Sequence, residues 1–343
     1  MNTYSDPRTS RRAFLQSTAL GVVAAPFLAG CHSNGSRTAK AMTRGSFSID
    51  GNQARLFSPA VTAPLKIMVV GDTHLFLDDV RGEPFQEFSG RMSRAYNQTK
   101  HFETKAATNP QQSFERTLAL AQRTQVDLFA MVGDVFSFPS EAAIEWALAK
   151  LKESGVRFCY IAGNHDWHYE GMDGPEVALR AEWTEKRLRP LYQGNPSLMA
   201  AYDVQGVRFV AIDDSTYEIL PEQLAFFREQ VASGRPLVLL MHIPLYAPGR
   251  PVGFGCGHPE WGAKTDKNWL VERRPKWPES GHSATTIAFR EEVFRAPNLL
   301  GVFSGHTHRM SIDCVNGIPQ IVTEANATGA HLNVEVLPAA ASA

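Results

Sequence analysis

An excess of charge of one sign is missing from this 343-residue sequence, whose 34 Lys and Arg residues nearly balance its 35 Asp and Glu residues. The net charge of −1 gives no broad positive field of the kind that attracts DNA or RNA. The composition therefore disfavours a nucleic-acid-binding protein. It does not exclude binding of a small anionic ligand, because such binding needs only a few positive charges at one site.

Cysteine is also scarce. The four cysteines, Cys31, Cys159, Cys256 and Cys314, form no CxxC pair, and this spacing excludes the zinc motifs built from such pairs. Cys159 lies in the apolar run VRFCYIA and is predicted to be a buried core residue. The apolar stretch near the N-terminus, TALGVVAAPFLA, has about 12 residues, whereas a membrane-spanning helix needs roughly 20.

Residues 1–30 are predicted to be a targeting segment rather than part of the fold. Arg11 and Arg12, followed by Phe-Leu, resemble the twin-arginine export signal of bacteria. The following LAGC resembles a lipoprotein box, which implies cleavage before Cys31 and acylation of its thiol. The alternative is a plain signal peptide in which Cys31 is incidental. The first interpretation implies export by the twin-arginine route and a lipid anchor in the bacterial envelope, facing the periplasm.

The rest of the chain is predicted to be one domain behind a short tether. Residues 31–45 are small, polar and basic, as is typical of a flexible linker, and the domain would comprise residues 46–343. Residues 46–58 alternate around Asp50–Gly51, which predicts a hairpin.

Short apolar runs such as LKIMVVGD and VDLFAMVGD alternate with helical patterns such as SEAAIEWALAKLKESG. Asn109 and Ser140 are the predicted N-caps of two helices, and Gly155 lies just past the end of the second. Alternating strands and helices predict an α/β fold with helices covering buried strands.

Five of the predicted strands end in side chains that can bind a metal. The residues are Asp72 and His74; Asp134; Asn164, His165 and Asp166; His242; and His306 and His308. Sites in open α/β sheets form beyond the carboxyl ends of the strands, so these side chains are expected to meet. In four of the five segments a glycine precedes the first polar residue, where the backbone can turn sharply.

The two histidines of GHTH are separated by one residue. In an extended backbone, side chains two residues apart point in the same direction, which predicts that His306 and His308 face one point in space. Two imidazoles converging at the end of a buried strand indicate a metal site, although two histidines on a solvated turn would show the same spacing.

The ordered series GDTH, GD, GNHD, H and GHTH closely resembles the calcineurin-like metallophosphoesterases, over roughly residues 65–330. The resemblance implies a four-layer α/β/β/α sandwich and two metal ions, with Mn, Fe or Zn as candidates. It also implies hydrolysis of a phosphomonoester or phosphodiester by a hydroxide that bridges the two metals.

The family's ligand positions carry over to this sequence residue by residue. One metal would be held by Asp72, His74 and His308, the other by Asn164, His242 and His306, and Asp134 would bridge them. Among the remaining positions, His165 matches the family's non-ligand histidine, which protonates the leaving oxygen, and Asp166 would orient it.

Two long stretches, about 78–108 and 246–282, are insertions that could shape the substrate pocket or merely decorate the surface. Arginines in or beside them are candidate phosphate ligands, and two histidines are candidate substrate contacts. These residues are Arg91, Arg94, Arg250, Arg273, Arg274, His258 and His282.

Two departures from the family pattern indicate which branches of the family this chain does not resemble. Purple acid phosphatases carry a tyrosine three residues after the bridging aspartate, where this chain has Ser137, and Ser/Thr protein phosphatases have GNHE, where it has GNHD. The sequence therefore favours an exported hydrolase of a small phosphate ester. A nuclease of the same superfamily and a non-catalytic envelope lipoprotein are the alternatives, and the complete ligand set argues against the second.

Overall fold

A computed structural model describes residues 45–95, 99–250 and 281–339, all within one compact unit, Met42–Ala343. The first sheet carries three of the predicted site segments. Its strands are β1 (Phe47–Asp50), β2 (Gln53–Ser58), β3 (Leu65–Val70), β6 (Leu128–Val132), β7 (Phe158–Ile161) and β14 (Leu332–Pro338), in the order β1-β2-β14-β3-β6-β7. β1 and β2 form the predicted hairpin, and β3, β6 and β7 are parallel neighbours.

The second sheet carries the other two site segments. Its strands are β8 (Met199–Val204), β9 (Val207–Ile212), β10 (Leu237–Leu240), β11 (Leu299–Ser304), β12 (Ser311–Val315) and β13 (Ile318–Val322), in the order β12-β13-β11-β10-β9-β8. β9, β10, β11 and β13 run parallel, and β8 and β12 are antiparallel edge strands. A separate short ribbon pairs β4 (Thr99–Lys100) with β5 (Ala107–Thr108).

The helices follow the predicted signals closely. They are α1 (Gln86–Ser89), α2 (Met92–Ala95), α3 (Pro110–Arg123), α4 (Glu141–Ser154), α5 (Glu176–Trp183), α6 (Pro221–Ala232) and α7 (Ala284–Val293). As predicted, Asn109 caps α3 by accepting a hydrogen bond from Gln112 N at 2.9 Å, and Ser140 caps α4. Gly155 ends α4 in the left-handed conformation, with φ of 66°.

Alternate residues of each strand face opposite sides of its sheet, and this alternation builds three apolar clusters. In β3, Ile67 and Val69 belong to a cluster that draws on both sheets, whereas Met68 and Val70 pack with α3 and α4. A third cluster packs α6 and α7 against the second sheet. The predicted α/β class is confirmed: both sheets contain parallel strands, and helices pack on them.

The first insertion packs against the site loops. Phe85 stacks on Tyr169 at 4.9 Å between ring centroids and meets Trp183 edge-on at 5.1 Å. Arg91, beside α2, donates a hydrogen bond to Glu170 at 2.6 Å. The insertion therefore forms an ordered wall beside the loop that follows β7. Most of the second insertion, including Arg273, Arg274 and His258, lies outside the described residues.

The predicted export and anchoring residues, Arg11, Arg12 and Cys31, also lie outside the described residues. Within the described part of the chain, every helix is too short or too polar to span a bilayer.

Candidate metal centre

The five site segments meet because of how their strands are arranged. β3, β6 and β7 are parallel neighbours in one sheet, and β10 and β11 are parallel neighbours in the other. Their carboxyl ends therefore lie at common sheet edges, and the loops that leave these ends bring the predicted residues together.

The first group of metal-binding side chains is Asp72, His74 and His308. One ligand atom from each lies within 4.8 Å of the others. Nε2 of His308 is 3.0 Å from Nε2 of His74 and 3.3 Å from Oδ1 of Asp72. Asp72 and His74 are fully buried. A carboxylate and two imidazoles are ligands that suit zinc, iron or manganese.

The second group is Asp134, His242 and His306, whose ligand atoms also lie within 4.8 Å of one another. Nε2 of His242 is 3.2 Å from Oδ2 of Asp134. Nδ1 of His306 is 3.0 Å from the side-chain oxygen of Asn164, which places this amide beside the group. The structure thus brings six of the seven nominated ligands into two groups, with Asp134 in the second, and it places Asn164 beside that second group.

The arrangement of His242 and Asp134 in the second group fits a bound metal ion. Nδ1 of His242 lies 2.9 Å from the carbonyl oxygen of Val132, which can only accept, so Nδ1 must carry the proton. Nε2 of a neutral His242 therefore presents a lone pair to the Asp134 carboxylate, and it makes no hydrogen bond of good geometry. Two acceptors this close repel each other unless a proton or a metal ion lies between them. The donor set therefore fits a metal.

Burial and neighbouring charges act on the pKa values of His242 and Asp134 in opposite directions. Burial would lower the pKa of His242, but the adjacent Asp134 carboxylate outweighs it and raises the pKa to about 10. For Asp134, burial opposes ionisation, yet His242 and His165 hold its pKa well below the usual range. Burial, helped by His308, lowers the pKa of His74 well below its usual range, which favours the neutral, ligating form.

Most of the nominated residues have an unusual backbone. Their values of φ are 56° for Asp72, 55° for His74, 49° for Asp134, 73° for His306 and 56° for His308. Left-handed conformations are uncommon outside glycine, although Asp and His adopt them more readily than most residues, and they cluster at functional sites.

The extended-backbone explanation for GHTH is wrong. β11 ends at Ser304, and residues 306–309 form a bend in which both histidines are left-handed. The two side chains do not face one point: His308 joins the first group and His306 the second. The residue types nominated both histidines as ligands, but strand periodicity does not account for where their side chains lie.

The glycines that precede the polar residues serve two purposes. Gly133 has φ of 86° and allows the turn that the sequence predicted. At Gly163 and Gly305 the reason is space: an added Cβ would lie 2.2 Å from Oδ1 of Asp134 and 2.5 Å from Oδ2 of Asp72, respectively.

His165 and Asp166 occupy different positions relative to the groups. His165 belongs to neither group, but its ring centroid is 5.3 Å from that of His74, and its backbone N–H donates to Asp134 Oδ1 at 2.8 Å. The Asp166 carboxylate accepts hydrogen bonds from the backbone N–H groups of Phe136 at 2.8 Å and Gly163 at 2.7 Å. Its oxygens thus join the loops after β6 and β7 rather than orienting the His165 ring.

The sequence model of the calcineurin-like phosphoesterases matches residues 65–310, which contain both groups. The chain belongs to this family. This phosphoesterase is therefore a metal-dependent phosphoric ester hydrolase, and its two groups support a dinuclear metal centre. A search of curated proteins found no match.

Several solved structures are similar to this phosphoesterase. A dimetal phosphatase from Danio rerio is 11% identical with a TM-score of 0.49, over 78% of this chain and 91% of the other. A purple acid phosphatase from yellow lupin is 13% identical with a TM-score of 0.47, over 81% of this chain and 46% of the other. A phosphopantetheinyl hydrolase from Mycobacterium tuberculosis is 13% identical with a TM-score of 0.35, over 78% and 92%.

Several candidate phosphate or substrate contacts in the phosphoesterase already bind protein groups. Arg91 pairs with Glu170, and Arg250 donates to Asp313 at 2.8 Å. His282 is buried and lies 3.1 Å from Glu218. These contacts occupy Arg91, Arg250 and His282 with carboxylates of the chain itself. The exposed Arg94 lies in α2.

The buried Ser137 also has a role within the protein. It stands where purple acid phosphatases carry tyrosine, and its Oγ donates to the His74 carbonyl at 3.1 Å.

Sequence analysis overlooked one segment that touches the site. The turn after β9, with the sequence DDSTY at residues 213–217, supplies no member of either group, yet its side chains contact several loops that do. Asp214 accepts hydrogen bonds from the backbone of His242, and Tyr217 contacts His306. The only signal in the sequence is an apolar strand, VRFVAI, that ends in two aspartates.

Proposed function

We propose that the protein hydrolyses a small phosphate ester, either a monoester or a diester, at a two-metal site. The observation that carries this proposal is the pair of ligand groups, each with its ligand atoms within 4.8 Å, at the adjoining loop ends of two sheets. Mn, Fe and Zn all suit the imidazole and carboxylate ligands.

The proposed roles of the residues follow their grouping. Asp72, His74 and His308 hold one metal; Asn164, His242 and His306 hold the other; Asp134 binds both. Support for the bridging role of Asp134 is electrostatic, because its charge interacts with His242 of the second group and with His74 of the first. When bound, the metals supply an activated water near neutral pH and stabilise the phosphoryl oxygens.

His165 is the proposed general acid. It lies beside the first group without belonging to it, and its backbone bond to Asp134 holds this part of the loop in position. From there the imidazole could give a proton to the leaving oxygen as the P–O bond breaks. The net charge of −1, with no excess of basic residues, favours a small ester over a nucleic acid.

The test is hydrolysis by the full chain after its metals are stripped and Mn, Zn or Fe is added back. Activity is measured on p-nitrophenyl phosphate and bis-p-nitrophenyl phosphate, with elemental analysis of the same samples. We expect turnover that requires about two metals per chain. The preferred ester distinguishes a monoesterase from a diesterase.

Asp134→Asn provides the decisive variant. Loss of the carboxylate charge should abolish turnover and reduce bound metal, whereas Asp203→Asn, at an exposed aspartate paired with Arg208 and Arg235, should change neither. Full activity in Asp134→Asn would refute the site. Two bound metals without turnover on either ester would favour the non-catalytic alternative.

We also propose that the protein is exported by the twin-arginine route and anchored by a lipid on Cys31, facing the periplasm. The support is the sequence alone: the Arg11–Arg12 pair, the short apolar stretch and LAGC. Cys31→Ser should move the protein from the membrane fraction to the soluble fraction of a bacterial host. Equal membrane association of the variant and the parent would contradict the anchor.

A further inference from the structure

The turn at residues 213–217, which follows β9, supplies no ligand to either group, yet it contacts all three loops that carry the non-bridging residues of the second group. These are the loop after β7 with Asn164, the loop after β10 with His242 and the loop after β11 with His306.

Asp214 holds the His242 loop. Its Oδ1 accepts hydrogen bonds from the backbone N–H groups of His242 and Ile243, each at 3.1 Å. The carboxyl group is buried, and burial raises its pKa to about 7. An acceptor that binds two successive amides fixes the direction in which the chain leaves β10, and with it the His242 side chain.

Ser215 holds the loop after β7 through the buried Trp167, which follows His165 and Asp166. Trp167 Nε1 donates to Ser215 Oγ at 2.9 Å, and Ser215 Oγ in turn donates to Asp213 Oδ1 at 2.6 Å. Arg180 of α5 completes the chain by donating to Asp213 Oδ2 at 2.8 Å. A fully buried indole with a satisfied N–H has one well-defined position, so it anchors the loop on which Asn164 lies.

Tyr217 holds His306. Its ring meets the His306 ring edge-on, at 5.6 Å between centroids, and its hydroxyl is 3.4 Å from His306 Nε2. Nδ1 of the same ring faces Asn164. The contact between Tyr217 and Nε2 therefore keeps the ring turned so that Nδ1 points toward the second group. Tyr217 has φ of 63°, a conformation that is costly for an aromatic residue and is retained mainly where surrounding contacts enforce it.

The first group is supported by a different element. Ser137, in the loop after β6, donates to the carbonyl oxygen of His74 at 3.1 Å, and Thr73 Oγ1 donates to Asn326 Oδ1 at 3.1 Å. These supports do not involve residues 213–217. The two groups are joined where the Asp72 carboxylate accepts hydrogen bonds from the backbone N–H of His306.

We propose that residues 213–217 are the positioning element of the second metal group, and that they set its affinity without binding the metal. This inference rests on the proposed two-metal function. Outer partners of metal ligands fix ring orientation and tautomer, and their loss commonly lowers metal affinity about 10- to 100-fold. Loss of a contact in the turn should therefore weaken binding of the second-group metal more than binding of the first-group metal.

The experiment is calorimetric titration of the stripped full-length protein with Mn²⁺ alone. The binding steps are assigned with His306→Ala, which removes a ligand of the second group, and His308→Ala, which removes a ligand of the first. Tyr217→Phe, which deletes only the hydroxyl, should weaken the step lost in His306→Ala by about tenfold or more. Ser137→Ala should weaken the other step.

A second pair of variants, both at Asp214, distinguishes loss of the hydrogen bonds that position His242 from a general loss of structure. Asp214→Asn keeps an oxygen acceptor for the two backbone amides and should bind both metals normally, whereas Asp214→Ala should weaken the second-group step. If Tyr217→Phe weakens both steps equally, neither step, or only the step lost in His308→Ala, the inference is wrong. Fewer than two bound Mn²⁺ in the parent protein would instead refute the two-metal function.

Discussion

At the scale of single residues, the site is built from left-handed backbone conformations that are uncommon outside glycine. Asp72, His74 and His308 are all left-handed, as are Asp134 and His306. The sequence nominated these residues because carboxylates and imidazoles at strand ends are informative by type, and the assignment of the residues to the two metals came from the family resemblance. The sequence did not predict their conformation, since a left-handed φ at Asp or His depends on contacts with distant loops.

A single methyl group at Gly163 should disrupt the second group. In Gly163→Ala the new Cβ would lie 2.2 Å from Asp134 Oδ1, so the carboxylate or the loop must move. We expect a loss of about 1–3 kcal/mol in the free energy of unfolding, measured in urea, and reduced metal content. Gly301→Ala is the matched control, because its nearest atoms lie at an ordinary 3.5 Å. A normal metal content in Gly163→Ala would contradict the close approach.

Replacing His165 should separate metal binding from proton transfer. His165→Ala should retain both metals, because His165 belongs to neither ligand group. Hydrolysis should slow by about 10²–10⁴-fold for esters with poor leaving groups and much less for nitrophenyl esters, which leave without a proton. The measurement is a series of rates against leaving-group pKa. A uniform decrease across the series would argue against the general-acid role.

At the scale of elements, the sequence predicted helices better than it predicted the contacts between loops. Local patterns predicted α3, α4 and their caps, because capping and helical periodicity involve neighbouring residues. The support that Asp214 gives to the His242 loop joins residues 28 positions apart and has no local pattern. The edge strands β8 and β12 were also missed, since each is only partly buried and lacks a continuous apolar run.

The buried ion pair between Arg180 and Asp213 should be essential to the join between α5 and the second sheet. Arg180→Met leaves the Asp213 carboxylate buried without its cation, and we expect a loss of about 3–5 kcal/mol in the free energy of unfolding. Arg228→Met, which breaks the exposed pair with Glu292, serves as the control and should change stability little. Equal midpoints of urea unfolding for the two variants would contradict this assignment.

At the scale of the whole molecule, the class of the fold was predictable and its connectivity was not. Apolar runs alternating with helical patterns indicated buried parallel strands, and both sheets contain them. The position of β14, however, is set by pairing across nearly the full sequence. It lies parallel to β2 on one side and antiparallel to β3 on the other, so it joins the β1–β2 hairpin to the rest of the first sheet.

Removing β14 should prevent the whole domain from folding, rather than disorder only its C-terminal end. A chain that stops after His331 leaves β2 and β3 without their shared partner and deletes the buried Leu332, Val334 and Val336. We expect no cooperative transition in thermal unfolding of this truncated protein. A chain that stops after Ala339 keeps the strand and the Ala339 N–H bond to the Ser58 carbonyl, and should unfold like the parent. A cooperative transition in the shorter chain would refute a central role for β14.

The central position of β14 has a consequence for biosynthesis. A ribosome makes residues 53–58 and 65–70 long before residues 332–338, so the facing edges of β2 and β3 stay unpaired throughout most of translation. Open edges of this kind invite pairing with other chains. We expect ribosome-bound chains to remain sensitive to protease until residues 332–338 have left the ribosome, because the first sheet is incomplete before then.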